Sequence, residues 1–286
     1  MLRQRLAERL SERLATKPEG TVAVPAKGRS EASRASATAA GKPKLKGKAE
    51  AGQALGAGAP AHWGYTGDMA PERWAELAPE NRLCAVGTRQ SPIDIREGIA
   101  VDLEKIGFDY KPSGFTVLDN GHTVQVSMAP GNGLVVMGRR YELLQFHFHR
   151  PSEERVNGRQ FDMVAHLVHR DAEGRLAVVA VLLDRALDDR PQPVVQTVWN
   201  NLPLEKGEAL PAPVPIDLSQ LLPQDRGYFT FMGSLTTPPC SEGVLWMVMR
   251  QPVSLSAQQL AIFAKLYPMN ARPLQAGSGR LIKESQ

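Results

Sequence analysis

The stretch Gln145-Phe146-His147-Phe148-His149 sets two imidazoles two residues apart, and Ala165-His166-Leu167-Val168-His169 carries two more. A neutral imidazole can ligate a metal, and with a pKa of about 6.5 it can also move protons near neutrality. In an extended strand side chains alternate between faces, so His147 and His149 share one face with Gln145 beside them. His166 and His169 are three apart and face opposite sides. If the two runs pair, either one can complete a trio with His147 and His149, but not both. Three imidazoles from neighbouring strands, with a fourth position open, are the arrangement of a catalytic zinc centre. A His-x-His pair alone is more commonly structural, so the pattern needs supporting partners around it.

Those partners require a sheet. From residue 62 onward, runs such as FTVLDNGHTVQVSM, GLVVMGRRYELLQFHFH, FDMVAHLVH, RLAVVAVLLD, YFTFMGSL and GVLWMVMRQPV read as strands. Asn120-Gly121, Pro130 to Gly133, Asn157-Gly158 and Asp171 to Gly174 read as the turns between them. The turn at Asn157-Gly158 would bring FDMVAHLVH back against QFHFHRPSEE. Helical patterns are few and short: PVVQTVWNNL (193–202) and SAQQLAIFAKLY (256–267), the second opened by Ser256 as N-cap. The expected fold is mainly β (α+β). It is a single domain around a large, mostly antiparallel twisted sheet, with a few short peripheral helices.

Residues 1–61 are of another kind. The first aromatic residue is Trp63, and the segment before it is rich in Ala, Gly, Ser and Lys. It cannot bury enough apolar surface to offset its ordering entropy, so the expectation is a disordered tail ahead of a domain at 62–286. Residues 1–60 hold 12 Lys/Arg against 5 Asp/Glu, while residues 61–286 hold 22 against 25. The basicity is thus a property of the tail, and no nucleic-acid partner is expected. Leu2, Leu6, Leu10 and Leu14 trace a short amphipathic helix, for which a frayed charged helix is the plainer reading than a membrane-surface one. No run approaches the ~18 apolar residues of a spanning helix or the apolar core of a secretory signal.

HWGY (62–65), QSPIDI (90–95), NGH (120–122), QFHFH (145–149), SE (153–154), AHLVH (165–169), LAVVAVLL (176–183), GSLTTPP (233–239), Trp246 and NARP (270–273) occur in one order. In this the chain resembles the α-class carbonic anhydrases of bacterial type, over about residues 62–283. The resemblance implies a zinc-dependent carbonate dehydratase, with one Zn²⁺ per chain and carbon dioxide and bicarbonate as substrates. It places the zinc ligands on His147, His149 and His166, leaves His169 as a buried structural histidine, and gives His62 no role. It implies that zinc-held hydroxide attacks CO₂, that His122 shuttles the proton, and that Thr236 with Glu153 orients the hydroxide. Gln145 would accept the outer N–H of His147. Val168, Val178, Leu235, Val244 and Trp246 match the apolar wall for CO₂, and Thr237 sits beside bicarbonate. Tyr65, Asn120 and Gln125 match the water path.

Two departures stand out. The family usually has Glu two residues before the third ligand, where this chain has Val164. The loss of such a partner typically costs ~10–100-fold in metal affinity or activity, so an enzyme that releases zinc readily is expected. Cys84 and Cys240 match the disulfide of bacterial relatives, which implies the periplasm or exterior although no export signal is visible. Some relatives pair as homodimers, and a homodimer is among the assemblies the resemblance allows. The alternative function is a catalytically silent carbonic-anhydrase-like binding module, disfavoured because the full ligand set is present.

Overall fold

The strand Leu176–Arg185 is apolar at nearly every position because both of its faces are covered. Ala177, Val179, Val181 and Leu183 enter one apolar cluster, while Val178, Ala180 and Leu182 enter another on the opposite face. The neighbouring Met163–Arg170 follows the same period of two. Met163, Ala165 and Leu167 join the first cluster, and Val164 and Val168 flank His166 in the second. A computed structural model describes residues 63–286. The tail, its Leu-spaced stretch and His62 lie outside the described residues.

These strands form the middle of a 13-stranded sheet. Across its centre run Phe115–Asp119, Val124–Met128, Arg139–His149, Met163–Arg170, Leu176–Arg185, Glu242–Met249 and Tyr228–Ser234, in that order. All neighbours in this series are antiparallel except Leu176–Arg185 and Glu242–Met249, which are parallel. The sheet is therefore mixed, with antiparallel pairing in the majority. The hairpin expected at Asn157-Gly158 is present as Arg155–Val156 against Arg159–Gln160, and it returns the chain to pair Met163–Arg170 with Arg139–His149.

Two short helices cover the first cluster. Pro193–Asn200 begins with Pro at its first turn, and Gln192 caps it by accepting from Val195 N. Ala257–Leu266 begins with a capping box between Ser256 and Gln259. Trp199 and Phe263 stack on each other between them, and both meet the Phe148 ring at a steep angle. The second cluster, with Trp246, Val178 and Val244, is the floor on which the polar site stands. Gly233 permits close approach there: a Cβ would meet Ser91 Oγ at 2.3 Å and the Trp246 ring at 2.8 Å. Among the described residues no helix is long and apolar enough to cross a membrane.

His169 is fully buried on the face away from His166, and its Nε2 lies 2.8 Å from the Tyr110 hydroxyl. Burial pushes its pKa down from 6.5 to about 4. An unfolded chain takes up this proton near pH 6.5 and the folded chain only near 4. The stability His169 provides is therefore complete above pH 6.5 and lost as pH falls toward 4, a loss of up to about 3 kcal/mol. Melting temperature measured against pH should fall more steeply from 6.5 to 4.5 in the wild type than in H169Q.

Candidate active site

The register of the two histidine strands sets His147 directly opposite His166, with His149 two residues further along. His147, His149 and His166 each offer a ring nitrogen, and these lie within 4.8 Å of one another. The ring centroids are 5.0 Å apart for His147–His149, 5.5 Å for His147–His166 and 4.8 Å for His149–His166.

Each ring is oriented by its other nitrogen. His147 Nδ1 donates to Gln145 Oε1 at 2.9 Å, from the same strand face. His149 Nδ1 donates to the backbone oxygen of Asn270 at 2.7 Å. His166 Nε2 donates to Glu154 Oε2 at 3.1 Å. With those protons pointing outward, Nε2 of His147, Nε2 of His149 and Nδ1 of His166 present lone pairs to a common centre. The electrostatics agree for two rings. Burial, then the neighbouring His166, pushes His147 down to about 3 and His149 well below its ordinary value. His166 is depressed by burial but more than restored by Glu154 and Glu153, ending above its ordinary value.

The donor set suits a metal ion. His149 Nε2 is buried with no hydrogen-bond partner, a condition that costs about 1–3 kcal/mol unless something meets the lone pair. Imidazole nitrogens favour borderline cations of the zinc type.

Glu153 closes one side. Its Oε2 is 3.4 Å from His149 Nε2 and 3.7 Å from His166 Nδ1, and its Oε1 accepts from the backbone N–H of Arg272 at 2.7 Å. Its carboxyl ends at about 7, chiefly because burial raises it. His166, the Arg272 N–H and the Thr236 hydroxyl draw it down, and Glu154 pushes it up. Thr236 is itself buried, and Thr237 beside it is half-buried. Their loop is tied by Cys240 N to Thr237 O at 2.9 Å and by Leu235 N to Ser241 O at 2.9 Å.

The apolar residues converge as well. Trp246 meets the His166 ring edge-on at 5.0 Å, and its Nε1 donates to Ser234 O at 3.0 Å. Val178 pairs with Trp246 across the parallel strands, and Val168, Val244 and Leu235 pack in the same cluster. Gln125 lies opposite His147. Asn120 Oδ1 accepts from the backbone N–H groups of His122 and Thr123, both at 2.9 Å, and its amide reaches Gln125 Oε1 at 3.4 Å. The half-buried His122 stacks on Trp63, centroids 3.6 Å apart and planes 4° from parallel. Burial, then Lys206, lowers its pKa. Tyr65 packs edge-on against Trp63 and Trp74.

Three residues outside the expected set hold this together. Asn270 joins two parts of the site: its carbonyl orients His149, and its amide donates to His122 O and Phe148 O. Arg272 is 3% exposed and donates to Gln90 Oε1, Ser91 O and Cys84 O. Glu154 corrects an expectation: with Val164 on the strand, His166 was expected to lack a carboxylate partner, and the loop supplies one. The doubled Glu in PSEE was the only signal available. The Cys84–Cys240 disulfide is formed, with Cα atoms 5.1 Å apart, and is compatible with an oxidising compartment.

A family profile described as eukaryotic-type carbonic anhydrase matches residues 69–286. A carbonic anhydrase of Nostoc sp. is 42% identical over 230 residues, covering 78% of this chain and 86% of the relative. One from Neisseria gonorrhoeae is 42% identical over 225 residues, covering 78% and 88%. Among solved structures, a hyperthermostable carbonic anhydrase from an active hydrothermal vent chimney superposes with a TM-score of 0.76 at 41% identity, over 79% of this chain and all of that one. The α-carbonic anhydrase of Thermovibrio ammonificans, in complex with sulfanilamide, gives 0.75 at 40%, over 80% and 100%. A three-histidine site on a large twisted sheet, with this matching, shows that the chain belongs to the eukaryotic-type (α) carbonic anhydrase family. Its activity is that of a carbonate dehydratase, alongside the bacterial carbonic anhydrases at 37–42% identity.

Proposed function

We propose that the chain hydrates carbon dioxide reversibly with zinc held by His147, His149 and His166, as the catalytic domain 62–286 behind a basic tail, 1–61. The observation that carries the reading is the convergence of three inward lone pairs whose outer N–H groups are all engaged. Zinc bound there would supply Lewis acidity, which makes water ionise near neutral pH, as established for carbonic anhydrases generally.

The chain's own residues do the rest. Gln145 and the Asn270 carbonyl keep His147 and His149 in the tautomer that leaves Nε2 free. Glu153 accepts from the Thr236 hydroxyl, which turns the hydroxyl oxygen toward the nucleophile and fixes which lone pair faces CO₂. Val168, Val178, Leu235, Val244 and Trp246 form a dry wall against which CO₂ rests without competing for hydrogen bonds. Thr237 flanks the carboxyl oxygens of bicarbonate. Tyr65, Asn120 and Gln125 line the path of water that leads to His122, whose neutral imidazole accepts the released proton and passes it to buffer. The disulfide favours the periplasm or exterior as the working compartment.

Stopped-flow CO₂ hydration, with and without a zinc chelator, tests the reading. Activity that survives complete metal removal sinks it. In weak buffer H122A should be slower by roughly 100-fold, at the low end of what a positioned proton-transfer group contributes, and added imidazole should restore it. An H122A enzyme as fast as wild type would remove His122 from the proton route.

A further inference from the structure

We infer that Glu154 is a positioning residue that sets the tautomer of His166, and that the loop carries this carboxylate because the strand does not. The inference rests on the metal site proposed above.

His166 has two carboxylates within reach, one on each ring nitrogen. Glu154 Oε2 is 3.1 Å from Nε2, and Glu153 Oε2 is 3.7 Å from Nδ1. A neutral imidazole carries one proton, so the two carboxylates compete for it with opposite consequences. A proton on Nε2 leaves the Nδ1 lone pair facing His147 and His149. A proton on Nδ1, held toward Glu153, closes that nitrogen to any metal. The shorter contact to Glu154 decides for the open tautomer.

The placement of Glu154 is rigid. Its side chain is fully buried, its carbonyl accepts from Ser152 Oγ at 2.8 Å, and the next residue's N–H donates to Ile93 O at 3.2 Å. Ser152 is anchored in turn: its N–H donates to Phe161 O at 3.0 Å and its Oγ accepts from Phe161 N at 2.9 Å. The loop thus enters the hairpin Arg155–Val156/Arg159–Gln160 with one geometry. On the strand itself, the same-face neighbour of His166 on the hairpin side is Val164. It is fully buried in the second apolar cluster and offers no acceptor. Glu154 Oε1 has no other partner, so His166 is the only group this carboxylate serves by a hydrogen bond among the described residues.

The test measures zinc release to excess chelator in wild type, E154Q, E154L and the double variant E154L/V164E. It also records the histidine ring nitrogen shifts of the zinc-loaded enzymes by NMR. Release should accelerate about 10–100-fold in E154L and less in E154Q, whose amide oxygen still accepts from Nε2. The double variant should return to within about threefold of wild type, since Glu at 164 lies on the same strand face as His166. Unchanged release in folded E154Q and E154L, or an E154L loss that V164E does not repair while the His166 shifts stay those of wild type, would overturn the inference. Zinc stoichiometry of H166A separates the two levels. A full zinc complement in H166A removes the metal site itself, whereas zinc lost from H166A but held normally by E154L removes only the role of Glu154.

Discussion

Replacing His149 with alanine is expected to lower CO₂ hydration by at least about 1000-fold, because without the metal the attacking water stays un-ionised near neutral pH. Zinc content should fall to roughly a tenth of an ion per chain or less. The same substitution should leave the metal-free protein folded. It opens a cavity and orphans the Asn270 carbonyl that His149 Nδ1 serves, but it also deletes the buried, unpartnered Nε2, which offsets part of that cost. The contrast gives a signature that simple misfolding cannot mimic. Chelation should lower the melting temperature of the wild type, because a ligand that binds only the folded state stabilises it by mass action, and it should leave H149A unmoved. An H149A enzyme that keeps its zinc and its turnover would show that the three rings do not share an ion.

Much of this site was legible because strand geometry writes itself into sequence with a period of two. His147 and His149 point the same way for the same reason that Phe146 and Phe148 point into the opposite core. The choice between His166 and His169 was not legible from the residues. It depends on the register of one strand against another, and the pairing slips at Val168/His169. Three partners of the rings show where sequence runs out, to different degrees. Gln145 sits two residues from His147 on the same strand, and alternation finds it. The Asn270 carbonyl is 121 residues from His149 and is a backbone atom that every residue possesses. Glu154 is only 12 residues from His166, yet it arrives by a loop whose path is set by Ser152, Ile93 and Phe161, none of which alternation constrains. An apolar residue at 164 therefore looked like a missing partner, when the partner had changed its point of attachment.

Converting both Cys84 and Cys240 to serine is expected to lower unfolding free energy by about 2–5 kcal/mol, and the melting temperature by about 10 °C. The bond joins residues 156 apart in sequence, and closing so long a loop removes many conformations from the unfolded chain. Native turnover at 25 °C should change by no more than a few-fold, because the folded geometry near the bond has other supports. Gln90 Nε2 donates to Cys240 O at 3.0 Å and to Glu242 Oε1 at 3.1 Å, and Arg89 N–H donates to the same Glu242 oxygen at 2.6 Å. Arg272 reaches Cys84 O from the other side while its backbone N–H holds Glu153. The Thr236 loop is therefore placed by hydrogen bonds within the folded state, and the cross-link acts chiefly by restricting the unfolded one. Thermal melts and stopped-flow rates on the double serine variant separate these effects. A large loss of turnover at an unchanged melting temperature would mean instead that the disulfide itself positions the threonine loop, and that the network around Gln90 and Arg272 is too weak to do so alone.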